Sequence, residues 1–363
     1  MSGLLGYTRR VTANVVWSDS DSAYILVDSA RTFEGTPKFS HSLLGQRQHI
    51  EENGVAVEEG ARKLLRLSEN VAAGLCGVEA DALDVVSALR AALATGRIDS
   101  FVHHLGSLPS SARFAVTVAV AGEDPPFNVF NHPQRMVFEV NRGHVHTIGS
   151  LRDESKAFIE SALRKYLVSR SPGMSPEAAL VAGLACATTM AVQDDLTSQC
   201  VGGVFFGGRL DNQRSFWQPD ILYLLYDPGF DQGLERVPTP DGPTSSALVS
   251  DVLDRLELVV ARVRDDVPVA ASSLGMRGLP AWSTETAGDI QKWASAWHGE
   301  LQETGFGDVG YFVFVPKRPG VVAVVPNTGV YVRQAEERFA VSDALVGLLR
   351  MPTAGKCVLK VAG

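Results

Sequence analysis

The chain has 363 residues, more than one ordinary domain needs and enough for two. Its composition, 45% hydrophobic and 20% charged, is typical of a globular protein rather than a disordered one. The formal net charge of −8 argues against a nucleic-acid partner, because binding phosphate requires a surplus of Lys and Arg. No run of about 18 apolar residues occurs, so we expect no membrane-spanning helix and no membrane partner.

A secretory signal has a basic segment followed by an apolar one. The N-terminus of this chain has no such pattern, so we expect a cytoplasmic protein. The cysteines show no C-x-x-C spacing, which predicts neither a disulfide framework nor a zinc site. They lie far apart in the chain at Cys76, Cys186, Cys200 and Cys357. His144 and His146 share a face of a predicted strand, but no third ligand accompanies them. We therefore predict no metal and no cofactor.

The apolar pattern predicts an α+β chain. Strands are predicted over residues 11–17, 23–27, 63–67, 71–75, 114–120, 136–140, 144–148, 201–206, 221–226, 311–315 and 321–325. Helices are predicted over residues 79–95, 153–168, 176–192, 249–263 and 290–301. The polar residues 33–60 are interrupted by Gly and Pro and predict a loop. Asn141-Arg142-Gly143 predicts a hairpin that joins two of these strands, 136–140 and 144–148.

The segment Pro238-Thr239-Pro240-Asp241-Gly242-Pro243 predicts a domain boundary, because three prolines and a glycine disfavour both helix and sheet. We predict a linker over residues 238–245. A first domain then covers residues 12–237, and a C-terminal α+β domain covers residues 246–363. The sequence assigns no role to the C-terminal domain.

Three polar residues stand at the ends of apolar strands: Thr12, Asp28 and Lys63. Asp28 follows the apolar run Tyr24-Ile25-Leu26-Val27 directly, and a carboxylate in this position tends to be buried and to need a cation. Lys63 is the candidate cation. Composition alone favours three ordinary strand ends in solvent, so the spacing of these residues decides the interpretation.

Thr12 precedes Asp28 by sixteen residues, and Asp28 lies in the stretch Val27-Asp28-Ser29-Ala30-Arg31-Thr32. Lys63 precedes Gly77 by fourteen residues. By these two spacings, the segment 11–226 resembles the proteasome β-subunit and HslV-type peptidases. These proteins are N-terminal-nucleophile (Ntn) hydrolases. The resemblance implies a four-layer αββα sandwich for this part of the chain.

Further motifs follow in the order that this family has them. Ala80-Asp81 opens a helix after Gly77, and Ile148-Gly149-Ser150 resembles the family's G-S-G element. Met174-Ser175-Pro176 resembles the start of the helix that leads to its D-x-x-S element, which Asp195-Leu196-Thr197-Ser198 supplies. The same spacing also allows Asp194 with Thr197.

The resemblance implies a threonine-type peptidase that is made with a propeptide over residues 1–11 and activated by cleavage before Thr12. The Thr12 hydroxyl would attack, its own α-amino group would accept the proton, and Lys63, held by Asp28, would lower the pKa of that amine. Gly77 would offer a backbone N–H to the oxyanion, and Ser150, Asp195 and Ser198 would orient the amine. The implied partners are a polypeptide substrate, identical subunits in a ring, and an ATP-dependent unfoldase or regulator.

Departures from the family pattern support other hypotheses. Val11 stands before Thr12, where a self-cleaving member usually has glycine, and Leu151 replaces the last glycine of G-S-G. These changes favour a catalytically silent scaffold or partner-binding subunit of the same fold. Retention of Thr12, Asp28 and Lys63 together favours the peptidase. An Ntn amidase that acts on a non-peptide substrate is a third hypothesis, because the nucleophile does not select the leaving group.

Overall fold

The protein is described by a computed structural model over part of its length. The described residues are 13–19, 22–34, 42–44, 55–59, 63–77, 79–97, 103–104, 107–109, 114–123, 126–132, 136–140, 143–149, 151, 153–164, 174–193, 201–211, 214–228, 235–239, 242–248, 257–264, 266–272, 309–328, 331–335 and 338–362. Asp28, Lys63 and Gly77 are among them. Outside them lie the predicted helix 290–301 and the predicted site residues Thr12, Ser150, Asp195 and Ser198, with the alternative pair Asp194 and Thr197.

The chain divides into two compact units, of which the first comprises Met1–Ser40, Gln48–Arg170 and Leu196–Trp217. Its strands are β1 (Ala13–Ser18), β2 (Ala23–Val27), β3 (Ala30–Glu34), β4 (Val55–Glu59), β5 (Leu64–Ser68), β6 (Val71–Gly77), β7 (Phe114–Val120), β8 (Phe127–His132), β9 (Met136–Val140), β10 (Val145–Gly149), β11 (Phe206–Leu210) and β12 (Ser215–Trp217). Its helices are α1 (Glu79–Thr95) and α2 (Asp153–Leu163).

The strands of the first unit form antiparallel sheets. One five-stranded sheet has the order β10-β1-β2-β11-β12, a second has the order β5-β6-β7-β8-β9, and β3 pairs with β4. The two five-stranded sheets contact each other, because β6 packs on β1, β2, β10 and β11. Helix α1 packs on β6 and β7, whereas α2 packs on β10.

A glycine allows a close approach between the two five-stranded sheets. A methyl group on Gly74 of β6 would lie 2.8 Å from Asn14 Nδ2 and 2.9 Å from Ile25 Cδ1. Asn14 and Ile25 are both buried and belong to the facing strands β1 and β2. Only a residue without a side chain leaves these two neighbours in place at this contact.

Helix α1 has the bounds that the sequence predicts. Its apolar residues Val86 and Leu89 are buried, as their spacing requires. Gly96 has a φ of +67°, and Arg97 N donates to Ala92 O at 3.0 Å. This is the left-handed C-terminal cap that a glycine after the last helical residue predicts.

The second unit comprises His41–Arg47, Ser171–Asp195 and Gln218–Gly363. Its strands are β13 (Ile221–Tyr226), β14 (Glu235–Thr239), β15 (Gly242–Leu248), β16 (Glu257–Arg264), β17 (Val267–Ser272), β18 (Tyr311–Pro316), β19 (Val321–Pro326), β20 (Val332–Ala335), β21 (Arg338–Val341) and β22 (Val358–Val361). Its helices are α3 (Pro176–Gln193) and α4 (Asp343–Leu349).

A six-stranded mixed sheet with the order β17-β16-β13-β18-β19-β22 forms the centre of the second unit. Helix α3 packs on β18, β19 and β22. It is buried from Ala178 to Ala191, and Ser175 Oγ accepts the N–H of Ala178 at 3.1 Å, as the predicted N-cap requires. No helix in the described part of the chain is both long and apolar enough to cross a membrane.

The Pro-rich segment forms a hairpin rather than an open linker. β14 and β15 pair in antiparallel register, with Val237 opposite Ser245. The register shifts between Val237 and Thr239, at Pro238, and a bulge is where a sheet tolerates proline. The compact units therefore divide the chain differently from a boundary at residues 238–245, because β13 and α3 belong to the unit that contains the C-terminal strands.

Three predictions of local structure are wrong. Residues 257–263 of the predicted helix 249–263 belong to strand β16. This strand is paired on both sides and rich in valine, so its apolar residues fit the repeat of a helix as well as that of a strand. The predicted hairpin between β9 and β10 is absent, since β9 pairs with β8 and β10 pairs with β1. The predicted loop 33–60 contains the end of β3 and all of β4.

Substitution of Gly74 tests the contact between the sheets. We expect Gly74→Ala to lower the free energy of unfolding by about 1–3 kcal/mol, because the added methyl group displaces Asn14 and Ile25. Gly347→Ala is the control, since a methyl group at that helical position meets no atom within 4 Å. Chemical denaturation measures both variants, and equal unfolding free energies would contradict the close approach.

Candidate functional site

The carboxylate of Asp28 joins three other segments of the first unit. Asp28 directly follows β2 and has no exposed surface. Its Oδ1 accepts the Ala13 N–H at 3.0 Å and a hydrogen bond from Lys63 Nζ at 2.8 Å. Its Oδ2 accepts the Gly202 N–H at 3.2 Å. The predicted pairing of Asp28 with Lys63 is confirmed.

The pairing of the strands explains how these groups meet. In the β1–β2 ladder Asn14 lies opposite Val27, so the ladder continues to Ala13 and Asp28, where Asp28 N donates to Ala13 O at 3.2 Å. Lys63 directly precedes β5, and its carbonyl oxygen accepts the Leu75 N–H at 2.8 Å. Backbone hydrogen bonds therefore hold both charged residues in place independently of the contact between their side chains.

The ion pair is almost completely removed from water. The Lys63 side chain is 7% exposed and that of Asp28 is 0% exposed. Burial raises the pKa of Asp28, and the Lys63 ammonium and the N–H groups of Ala13 and Gly202 oppose that rise. A buried charge requires such compensation, so loss of any one partner leaves Asp28 poorly satisfied.

Gly77 is placed at the end of β6, beside Cys76. It has a φ of +94°, which favours glycine, and it lies opposite Phe114 of β7. Burial raises the pKa of the Cys76 thiol to about 12, although the Lys63 charge opposes that rise. Cys76 is therefore almost entirely protonated at neutral pH and is a poor nucleophile, as expected of a core cysteine.

The sequence analysis missed a loop that supports Asp28. Gly202 N donates to Asp28, and Gly202 O accepts the N–H of Ala30 at 3.1 Å. Two residues later, Val204 N donates to Glu59 Oε1 at 2.7 Å. The consecutive Gly202 and Gly203 are the only sequence signal for this loop, and the predicted strand 201–206 begins instead at Phe206. No local pattern marks Glu59.

His144 and His146 are the histidine pair that the sequence analysis considered as metal ligands. The rings of His144 and His146 have their centroids 6.4 Å apart. Burial lowers the pKa of His146, and the charge of Glu160 opposes that decrease. Across the described ranges, no three or more His, Cys, Asp and Glu side chains are grouped so that they could hold a metal ion.

No protein-family model matches this chain, and no curated protein matches it. Among solved structures, the chain is similar to the crystal structure of eukaryotic HslV from Trypanosoma brucei. The sequence identity is 17%, the match covers 55% of this chain and 99% of that chain, and the TM-score is 0.39. At this level of similarity, the family and the function have to be argued from the residues of the chain itself.

Removal of the Lys63 charge tests the ion pair. We expect Lys63→Met to lower the free energy of unfolding by about 3–5 kcal/mol, because Asp28 stays buried without its cation. Adding Asp28→Asn should recover part of this loss, since the charge is then removed as well.

Arg318→Met is the matched control for this experiment. It removes an ion pair with Asp227 whose side chains are 73% and 54% exposed, so its effect should be at most about 1 kcal/mol. Chemical denaturation measures all four proteins. If Lys63→Met and Arg318→Met have similar effects, the Asp28–Lys63 pair is not the buried interaction described here.

Proposed function

We propose that this protein is a cytoplasmic threonine-type peptidase of proteasome-like fold. It is activated by cleavage before Thr12 and attacks peptide bonds with the Thr12 hydroxyl. The observation that carries the proposal is that Asp28 Oδ1 accepts hydrogen bonds from both Lys63 and the N–H of Ala13. That N–H belongs to the peptide bond between Thr12 and Ala13, so the ion pair contacts the residue that directly follows the proposed nucleophile.

A threonine hydroxyl is a weak nucleophile and needs a base. Cleavage before Thr12 creates an α-amino group, whose ordinary pKa of about 7.7–8.0 leaves part of it neutral near pH 7. The Lys63 ammonium lowers this pKa further by charge repulsion. Lys63 Nζ donates to Asp28, and an ammonium has three N–H bonds, so the same group could also donate to atoms of Thr12.

The pairing of β1 with β10 supports a role for Ser150. Ala13 lies opposite Gly149 in this antiparallel ladder. If the same register continued by one residue, position 12 would pair with position 150. In the proposed site the Ser150 hydroxyl accepts a hydrogen bond from the α-amino group of Thr12 and orients its lone pair toward the threonine hydroxyl.

Asp195 and Ser198 complete the proposed site, with Asp194 and Thr197 as the alternative pair. Their place in the chain supports this role. They precede Gly202, whose N–H donates to Asp28, so the segment that contains them leads directly to the ion pair. In the proposed site their oxygen atoms accept hydrogen bonds from the α-amino group of Thr12.

Gly77 is the proposed donor to the oxyanion. Its positive φ and its lack of a side chain would let a substrate carbonyl approach the backbone closely. A backbone N–H that is already in position does not have to move as negative charge develops on that carbonyl. It therefore stabilises the transition state more than the substrate.

A specific observation favours a second candidate, the catalytically silent scaffold. Both backbone N–H groups that Asp28 binds hold chain segments together, which an inert subunit would also require. The Asp28–Lys63 pair by itself would then be structural. The two candidates differ in whether cleavage before Thr12 occurs.

Assembly follows from the need for selectivity. An unselective peptidase exposed in the cytoplasm would degrade other proteins, so we propose that identical subunits enclose the active sites in a ring that an ATP-dependent unfoldase or regulator supplies with polypeptide. Closure requires heterologous contacts between subunits.

Mass photometry at nanomolar concentration, with sedimentation at micromolar concentration, should detect a closed oligomer. A particle of one or two chains at micromolar concentration would contradict the ring.

The nucleophile is tested by substitution. We expect Thr12→Ala to lower kcat for a fluorogenic peptide at least about a thousandfold, because the attacking oxygen is lost. Thr12→Ser should keep measurable turnover, since it retains the hydroxyl. Thr8→Ala is the matched control and should behave like the parent, because residue 8 lies in the proposed propeptide. Unchanged turnover by pure Thr12→Ala would reject the peptidase, and cleavage before Thr12 without peptide turnover would favour the amidase.

A further inference from the structure

A second buried carboxylate, that of Glu59, lies on the other side of the loop that supports Asp28. Glu59 is the last residue of β4 and is 9% exposed. Its Oε1 accepts the Val204 N–H at 2.7 Å. In the β3–β4 ladder Glu59 lies opposite Ala30, whose N–H donates to Gly202 O. The segment between Thr32 and Lys63 therefore contacts the loop that supports the ion pair.

Glu59 also lies directly against the backbone of the loop. Gly203 has a φ of +69°, and a methyl group there would overlap the Glu59 carboxylate, with Glu59 Cδ only 2.7 Å away. Glycine is thus required at this position twice, once for the backbone angle and once for space. The carboxylate and the loop fit each other with no room for a side chain between them.

Asp28 and Glu59 thus hold alternate amides of one short loop. Asp28 binds Gly202 N from one side, and Glu59 binds Val204 N two residues later. All residues from Val201 to Phe205 are buried. Because the loop is fixed at both amides, the position of Gly202 N, and with it the position of the Asp28 carboxylate that holds Lys63, depends on Glu59.

We propose that Glu59 is a positioning residue of the candidate active site, acting through Val204 and Gly202 on Asp28 and Lys63. The inference rests on the proposed function. It gives strand β4 a role, namely to set the alignment of the proposed nucleophile through the Asp28–Lys63 pair. A misplacement of about 1 Å at a reacting group can cost about a hundredfold in rate, so a support of this kind affects kcat.

Three variants test Glu59. Glu59→Ala leaves the Val204 N–H buried without its acceptor. Glu59→Gln keeps an oxygen at the same place and should rescue the effect. Gly203→Ala pushes the carboxylate away from the loop, and Gly96→Ala is its matched control, because Gly96 has a φ of +67° with no atom within 4 Å of an added methyl group.

The readouts are kcat and KM on a fluorogenic peptide and the deuterium exchange of the segment 201–206. We expect Glu59→Ala and Gly203→Ala to lower kcat at least about tenfold with KM within about twofold of the parent. Exchange of the segment 201–206 should be faster in both. Glu59→Gln and Gly96→Ala should stay within about threefold of the parent in kcat.

The outcomes separate this inference from the proposed function. If the parent is inactive, the proposed function fails, and the inference fails with it as a statement about catalysis. If the parent is active and both Glu59→Ala and Gly203→Ala keep the parental kcat as folded proteins, Glu59 is not a positioning residue. A similar loss of kcat in Gly96→Ala would also overturn the inference. If Glu59→Ala does not fold, the comparison of kcat between Gly203→Ala and Gly96→Ala decides whether Glu59 is a positioning residue.

Discussion

A carboxylate without any contact with water has to be neutralised and hydrogen-bonded, and Asp28 meets both requirements through parts of the chain that are distant in sequence. Lys63 supplies the charge, and the amides of Ala13 and Gly202 supply further hydrogen bonds. These contacts join Ala13 of β1, the residue before β5 and the loop before β11. The first unit is therefore organised around one ion pair as well as around its apolar core.

The same contacts serve two purposes in the proposed enzyme. Structurally, they satisfy a buried charge. Chemically, they hold the Lys63 ammonium beside the chain segment that starts directly after Thr12, where it would lower the pKa of a new α-amino group. Because stability and catalysis use the same atoms, loss of activity in an Asp28 or Lys63 variant does not by itself separate them, and a measurement that does not depend on the fold of variants is needed.

Much of the fold and part of the site could be predicted from the sequence. Helix α1 and strands β2, β7 and β13 have their predicted bounds, because their periodicity and their flanking turns agree. The pairing of Asp28 with Lys63 could be predicted because both residues stand at the ends of apolar strands and a buried carboxylate needs a cation. Strand β16 was not distinguishable from a helix, since pairing on both sides makes it apolar throughout. Glu59 could not be found, because its partner Val204 lies 145 residues away and is bound through its backbone.

The central claim is that the chain is cut before Thr12 so that this residue becomes N-terminal. The intact mass of the purified parent protein tests it most directly, because it requires neither a substrate nor an assay. The account predicts a mass lower than that of the full chain by residues 1–11, Met1 to Val11, with Thr12 as the new N-terminal residue. A protein that keeps Val11 attached to Thr12 would contradict it and would favour the silent scaffold.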